Sequence, residues 1–229
     1  KISKVDVIFY KNQLKKFYVD EFGAKYKEDN GKRINASQYL DQLSDTEIAL
    51  QYYYISNNEN SLGSKDKLLR ASDNSKYSKT HEKYHPSVRE YLSEFGYYDI
   101  FLVDIETAQV VYSVYKELDF GTSLTSGPYR NSNFGQVFKQ AKNLESRSEF
   151  VIVDYAKYTP SYEAPASFIA TPIWKGSKKI GVLIFQMPID RLNSIMSDRA
   201  GLGETGETYL VGQDKFLRSD TFVEKDKYN

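Results

Sequence analysis

The stretch Tyr97-Tyr98-Asp99-Ile100-Phe101-Leu102-Val103-Asp104, followed beyond Glu106-Thr107-Ala108 by Gln109-Val110-Val111-Tyr112-Ser113-Val114, decides the fold class. β-Branched and aromatic residues crowd into two short runs around a turn, which predicts a β-hairpin. Upstream of Tyr97 the apolar residues instead recur at helical spacing. The chain is therefore helical first and strand-rich afterwards, an α+β pattern.

Downstream of the hairpin, a Gly/Ser/Thr/Pro loop occupies 121–128, and a short helix is expected over 133–142. Strands follow at 150–155, 166–174 and 179–187, and helical spacing returns over 189–196. This order fits an antiparallel sheet with its helices on one face. Phe101-Leu102-Val103-Asp104 is echoed by Tyr209-Leu210-Val211-Gly212 about one small domain later, so a second module is expected to begin there, with a strand at 208–211. Residues 222–229 trail off in charged side chains, and both ends look like cuts in a longer chain.

Toward the N-terminus, Ile2, Val5, Phe9, Leu14, Phe17 and Phe22 form the apolar stripe of an amphipathic helix, with Gly23 as its expected stop and Asp29-Asn30-Gly31 as a turn. Two further helices are expected over 34–43 and after Ser44, where Glu47 completes a capping box ahead of Ile48, Leu50 and Tyr52. Residues 56–64 read as a loop and 65–84 as a polar, partly helical segment. Pro86 is expected to open the next helix, with His85 before it, Val88, Tyr91, Leu92 and Phe95 as its stripe, and Gly96 as its end.

Composition narrows the function. The 31 Lys and Arg balance the 31 Asp and Glu, so no overall field draws the molecule to nucleic acid. The absence of cysteine excludes disulfides and thiolate sites and suits an exported protein. No run approaches the roughly 18 apolar residues of a membrane span, and no signal peptide is visible.

His81-Glu82-Lys83-Tyr84-His85 satisfies the zinc-peptidase pattern, which needs both imidazoles on one helical face and Glu82 as general base. Pro86 argues against it, because the residue before a proline is pushed out of the helical region and His85 would cap the next helix. A zinc hydrolase using His81, Glu82 and His85 is the alternative from another class; no metal ligand or catalytic residue is assigned. Gly201-Leu202-Gly203-Glu204-Thr205-Gly206 has dinucleotide-type glycine spacing in the wrong context, a helix before and a strand after, and reads as an interdomain turn with no cofactor.

Tyr112, Tyr115, Lys116, Glu117, Asp119 and Tyr129 on one side, with Asp154, Tyr155, Tyr158, Tyr162 and Phe168 on the other, concentrate the aromatic and polar side chains that small-molecule sites favour. From this set Tyr112, Lys116, Asp119, Tyr129, Asp154, Tyr158, Tyr162 and Phe168 are the candidate ligand-binding residues.

The segments YYDIFLVD at 97–104, VVYSVYKELDFGTSL at 110–124, GPY at 127–129, PSYEAPASFIATPIW at 160–174, GVLIFQMPIDRLNSIM at 181–196 and GLGETGETYLV at 201–211 carry a resemblance over roughly half the chain. They resemble the membrane-distal module of double Cache sensor domains, found in bacterial chemoreceptors and shared with histidine kinases and nucleotide cyclases. The resemblance implies a long N-terminal helix rising from a transmembrane segment, helical over 1–95. It implies a PAS-like antiparallel sheet module over 96–200, and a linker with the start of a membrane-proximal module over 201–229. It further implies a non-enzymatic, extracytoplasmic domain of an inner-membrane receptor, first of all a methyl-accepting chemotaxis protein, with a small-molecule ligand between the sheet and the loops above it. The N-terminal stripe is expected to pair two subunits or to pack against the chain's own module. The arginine, tryptophan and tyrosine pattern of amino-acid-binding members is not apparent, and the sole tryptophan, Trp174, lies in a strand-like run.

Overall fold

The computed structural model describes residues 2–221; the expected trailing segment 222–229 lies outside them. Among the described residues, seven α-helices and five strands alternate with short 3-10 and π turns. Helices α1 (Lys4–Lys16), α2 (Phe22–Asn30), α3 (Ala36–Leu40), α4 (Asp45–Gln51) and α5 (Lys76–Phe95) precede the sheet. Strands β1 (Asp99–Asp104) and β2 (Val110–Ser113), helix α6 (Asn133–Lys142), strands β3 (Val151–Lys157), β4 (Pro165–Lys175) and β5 (Lys178–Met187), and helix α7 (Ile189–Met196) complete it. The fold is α+β, as the sequence pattern requires.

The N-terminal helix does not stop at Gly23. A π turn at Phe17–Glu21 joins α1 to α2, with the Phe22 N–H reaching back to the Phe17 carbonyl. A Cβ on Gly23 would meet the Tyr18 carbonyl oxygen at 2.6 Å, so glycine here admits the π turn instead of ending the helix. The stop is Gly31, whose φ of 67° is the left-handed cap that glycine takes without steric cost. The capping box at Ser44 and Glu47 forms as expected, each side chain meeting the other residue's backbone N–H.

Pro86 likewise fails to break the chain: α5 runs through it from Lys76 to Phe95. An internal proline costs about 3 kcal/mol. Against that, His85 is held at both ring nitrogens, by the Tyr112 hydroxyl at 2.7 Å and the Asp66 carbonyl at 2.6 Å. Arg89 pairs with Asp66 at 2.6 Å one turn on, and Leu92 is buried. Bonds of about 1 kcal/mol each and apolar burial together offset the proline.

The sheet is antiparallel throughout, in the order β2-β1-β5-β4-β3. Period-two alternation along β1 sends Phe101 and Val103 into the main core and Ile100 to a second cluster with Leu92 and Val114. Helix α6 packs on β3, β4 and β5, while α5 lies against the second cluster. Helices therefore cover both faces, not one as expected, because α5 carries its own apolar stripe to the back of β1. No strand forms at 208–211; among the described residues there is only an isolated bridge from Val211 to Leu217.

The main core centres on Phe101, Phe134, Phe168 and Tyr158, whose rings lie 4.6–5.2 Å apart in successive pairs. Replacing Phe168 by Ala is expected to cost about 3–5 kcal/mol by urea unfolding. Phe150→Ala, at a side chain 58% exposed, should change stability by no more than about 0.5 kcal/mol.

Candidate functional site

The site begins at Asp99, the first residue of β1. It is fully buried, and its Oδ1 accepts the backbone N–H groups of Ile100 at 2.6 Å and Val114 at 2.8 Å. This fixes the end of β2 and the segment Lys116-Glu117-Leu118-Asp119 that follows. Lys116 takes a left-handed conformation, φ 57°, which turns its side chain inward. Its Nζ donates to the carbonyls of Ser113 and Val114, and sits 4.5 Å from the ring centre of Tyr112 and 5.3 Å from that of Phe120. A buried ammonium is here held by carbonyl dipoles and aromatic faces.

Beyond Lys116 come two more carboxylates, Asp119 fully buried and Glu117 half-buried. Asp119 is fully buried; its Oδ2 accepts the Tyr158 hydroxyl at 2.6 Å, and its Oδ1 has no partner among the described residues. Glu117 Oε1 accepts the Tyr98 hydroxyl at 3.0 Å, while Oε2 is buried and equally unpartnered. The Tyr129 hydroxyl is a third orphan. Native proteins rarely leave such atoms unpaired, since each costs roughly 1–3 kcal/mol.

Burial drives the electrostatics. It pushes Asp119 up to about 6 and, with the charges of Asp119 and Asp99 nearby, holds Glu117 well above the usual carboxylate range. Asp99 is raised by the same desolvation and by Asp119, and Lys116 is lowered by burial against the pull of Asp99. The three carboxylates and Lys116 thus share one poorly solvated volume with an excess of negative charge.

Glu117 opens onto a cavity of about 100 Å³ walled by Phe17, Phe22, Lys65, Tyr98 and Tyr162. The Lys65 Nζ donates to the Asn58 carbonyl at 2.7 Å and lies 5.4 Å from the Phe17 ring centre. Over the cavity lies the loop between β3 and β4, in which Tyr162 and Glu163 are both left-handed, φ 56° and 65°. Consecutive non-glycine residues in that region are strained and need outside support. The N-terminal run gives it. Phe22 stacks on Tyr162 at 4.7 Å, Asn30 donates to the Tyr162 carbonyl at 3.0 Å, and the Tyr26 hydroxyl donates to Glu163 at 2.8 Å.

Of the residues singled out from the sequence, the structure groups Asp119, Tyr129 and Tyr158, places Lys116 and Tyr162 in the cavity wall, and sets Tyr112 against Lys116. Phe168 is in the main core. Asp154 is on the outer side of β3, paired with Arg218. Glu117 and Asp99 were absent from the candidate list, although two acids flanking Leu118 beside a lysine in a strand-rich segment carried a signal.

The histidines are not set out as a zinc-peptidase pair, and only His81 Nε2 of their four ring nitrogens lacks a partner among the described residues. The uninterrupted helix does stack His81 on His85, ring centres 4.3 Å apart, contrary to the break expected at Pro86. But both nitrogens of His85 are engaged, His81 Nδ1 meets the Leu69 carbonyl at 2.8 Å, and Glu82 faces outward to Arg70. Burial and Lys116 lower the two histidines to about 3 and about 4, so both are neutral packing groups. No group of metal-binding side chains is found among the described residues.

No family model matches the chain, and no curated protein matches it. Solved structures similar to it are sensor domains of chemoreceptors and histidine kinases. The ligand-binding domain of the Campylobacter jejuni chemoreceptor Tlp3 with 4-methylisoleucine is 12% identical at a TM-score of 0.42, over 93% of this chain and 66% of that one. That of the Pseudomonas fluorescens chemoreceptor CtaA with L-serine is 18% identical at 0.39, over 56% and 49%. The V. cholerae histidine kinase DctB sensor domain is 15% identical at 0.38, over 78% and 61%. The chain thus spans from about half to two thirds of these domains. No helix among the described residues is long and apolar enough to cross a membrane.

Asp119 makes a testable contribution to stability. Its native value of about 6 lies above the ordinary 3.8, so the native state holds the proton more tightly than the unfolded chain. The stability this gives is complete below pH 4 and is lost as pH rises through 6. The histidines change in the opposite sense as they gain protons in the unfolded chain below pH 6.5, so a wild-type profile mixes the two. Asp119→Asn keeps an acceptor for Tyr158 and should be more stable than wild type by about 1–3 kcal/mol at pH 7. The difference should vanish near pH 4 in chemical denaturation.

Proposed function

We propose that the chain is the solute-sensing part of a transmembrane signalling receptor, and that it binds a small solute carrying a protonated amine. The observation that carries this reading is the pair of buried, unpartnered carboxylate oxygens, Glu117 Oε2 and Asp119 Oδ1; Glu117 lines the cavity, and Asp119 is fully buried against the Tyr158 hydroxyl. An ammonium beside Glu117 has donors for its free oxygen and a positive charge that would offset the negative excess of Glu117, Asp119 and Asp99. Lys65 on the cavity wall suits a polar or anionic far end. The cavity is below the roughly 300–1,000 Å³ of ordinary ligand sites. It accepts a solute of a few heavy atoms as it stands and a larger one when the 158–164 loop swings away.

Binding is the chemistry the arrangement supports. Asp99 and Lys116 are locked by backbone groups and aromatic rings, and Glu117 and Asp119 each accept a tyrosine hydroxyl. Solute affinity that differs between two positions of the loop would bias the receptor between two states. Because Phe22, Tyr26 and Asn30 grip that loop, the bias passes into the N-terminal helical run. The receptor context comes from the sequence resemblance to double Cache sensors. A chemotaxis receptor is the first reading, and a histidine kinase or nucleotide cyclase the alternative outputs. In that context residues 96–200 are the distal module, 201–229 lead into a membrane-proximal one, and the domain lies outside the cytoplasm of a membrane-anchored protein. Val5 and Ile8, 76% and 63% exposed on α1, supply an apolar stripe on which two subunits would pair.

A thermal-shift titration against ethylammonium, other amines, amino acids, organic acids and sugars tests the reading. Amine-bearing solutes should raise Tm saturably, by the equivalent of about 2.7 kcal/mol at a hundred times Kd. Glu117→Gln with Asp119→Asn should abolish the shift. Stabilisation by organic acids alone, or by no solute in the set, would overturn it.

A further inference from the structure

The outer side of β3 carries a contact that the solute site does not use. β3 is an edge strand, and its pairing with β4 slips between Val153 and Ala156, leaving Asp154 and Tyr155 in a bulge. Bulges re-aim side chains, and this one directs the Asp154 carboxylate outward. There it meets Arg218 in a two-pronged pair, Nε at 3.0 Å from both carboxylate oxygens and Nη2 at 2.9 Å from Oδ2. Arg218 belongs to a small hairpin, with Val211 bridged to Leu217 and the Arg218 N–H donating to the Leu210 carbonyl at 2.8 Å. Asp214 of the same hairpin holds the guanidinium from the other side at 2.7 Å. A second fastening is reciprocal: Asn193 of α7 donates to the Asp220 carboxylate at 2.9 Å and accepts the Asp220 N–H at 2.9 Å.

Between these fastenings the hairpin does not pack down. An open groove of about 360 Å³ separates Phe216 and Leu217 from Tyr155, Pro165 and Ile189. Among the described residues the hairpin is fastened to the module by polar contacts on β3 and on α7. The β3 point lies four residues before Tyr158, whose hydroxyl holds Asp119 at 2.6 Å.

We infer that the Arg218–Asp154 pair couples the 158–164 loop to the hairpin, so that attachment of the hairpin and closure of the loop over the solute cavity stabilise each other. Arg218 is a positioning residue in this arrangement. It fixes the bulge, the bulge fixes the start of the loop, and the loop sets Tyr158 on Asp119. Coupling is reciprocal by thermodynamic necessity: whatever holds the loop closed also holds the hairpin on. As regulation of the solute site, the inference rests on the function proposed above.

Amide hydrogen exchange without any solute tests the coupling by itself. The N–H groups of Ser161, Tyr162 and Glu163 are hydrogen-bonded within the loop and report its opening. Arg218→Ala should speed their exchange about three- to tenfold while β4 and β5 amides keep their rates. Asp154→Arg combined with Arg218→Asp should restore protection. Faster exchange confined to 210–219, with 161–163 unchanged, would overturn the inference. A second arm adds ethylammonium to the wild type. Protection gained at 161–163 but not at 210–219 would also contradict the coupling. No change anywhere on adding it would count against the solute reading, while the Arg218 result would stand.

Discussion

Three carboxylates, Asp99, Glu117 and Asp119, are held close together beside Lys116, and the surrounding structure is arranged to make that tolerable. Isolated charges cannot be buried without large cost. Asp99 is compensated by the backbone N–H groups at the turn out of β2, and Lys116 by carbonyls and aromatic faces. Gln51 donates to the carbonyls of Leu118 and Phe120 at 2.8 Å each and accepts the Tyr18 hydroxyl at 2.9 Å. It thereby pins the carboxylate-bearing segment to α4 and the N-terminal run. What this framework leaves uncompensated is Glu117 Oε2 and Asp119 Oδ1, the two atoms on which the proposed binding of an amine rests.

The same constraint explains why the N-terminal helices and the sheet module form one unit. Phe17 and Phe22 close the cavity from the helical side, and Tyr26 and Asn30 support a strained loop that would not keep its shape alone. The π turn at Phe17–Glu21 falls where the run changes from lining the core beside α4 to gripping that loop. A regular helix would present Phe22 and Tyr26 about 100° away from where they are needed for each added residue. Strain in the loop and irregularity in the helix are two sides of one contact.

Much of the fold was legible because its signals are local. The β1–β2 hairpin, α6, α7, the capping box at Ser44 and the left-handed stop at Gly96 follow from residues within one or two turns of each element. The errors share another cause. Gly23 and Pro86 act as breakers only when nothing distant overrides them, and here a close approach to Tyr18 and the bonds from His85 to Tyr112 and Asp66 do so. The candidate site was half legible. Asp119, Tyr129, Tyr158 and Tyr162 lie in runs that look unlike core. Glu117 alternates with buried neighbours and reads as a solvent-facing strand residue, and Asp154 is turned outward by a bulge that no local pattern announces.

The most direct measurement is a carbon-13 NMR titration of the aspartate and glutamate side-chain carboxyls, with Asp119 assigned by comparison with Asp119→Asn, in the absence and presence of ethylammonium. Without the amine, Asp119 should titrate near about 6; with it, the midpoint should fall toward the ordinary aspartate range, because a bound cation favours the ionised form. An Asp119 midpoint near 4 that the amine leaves unmoved would contradict a desolvated carboxylate kept for a cationic solute.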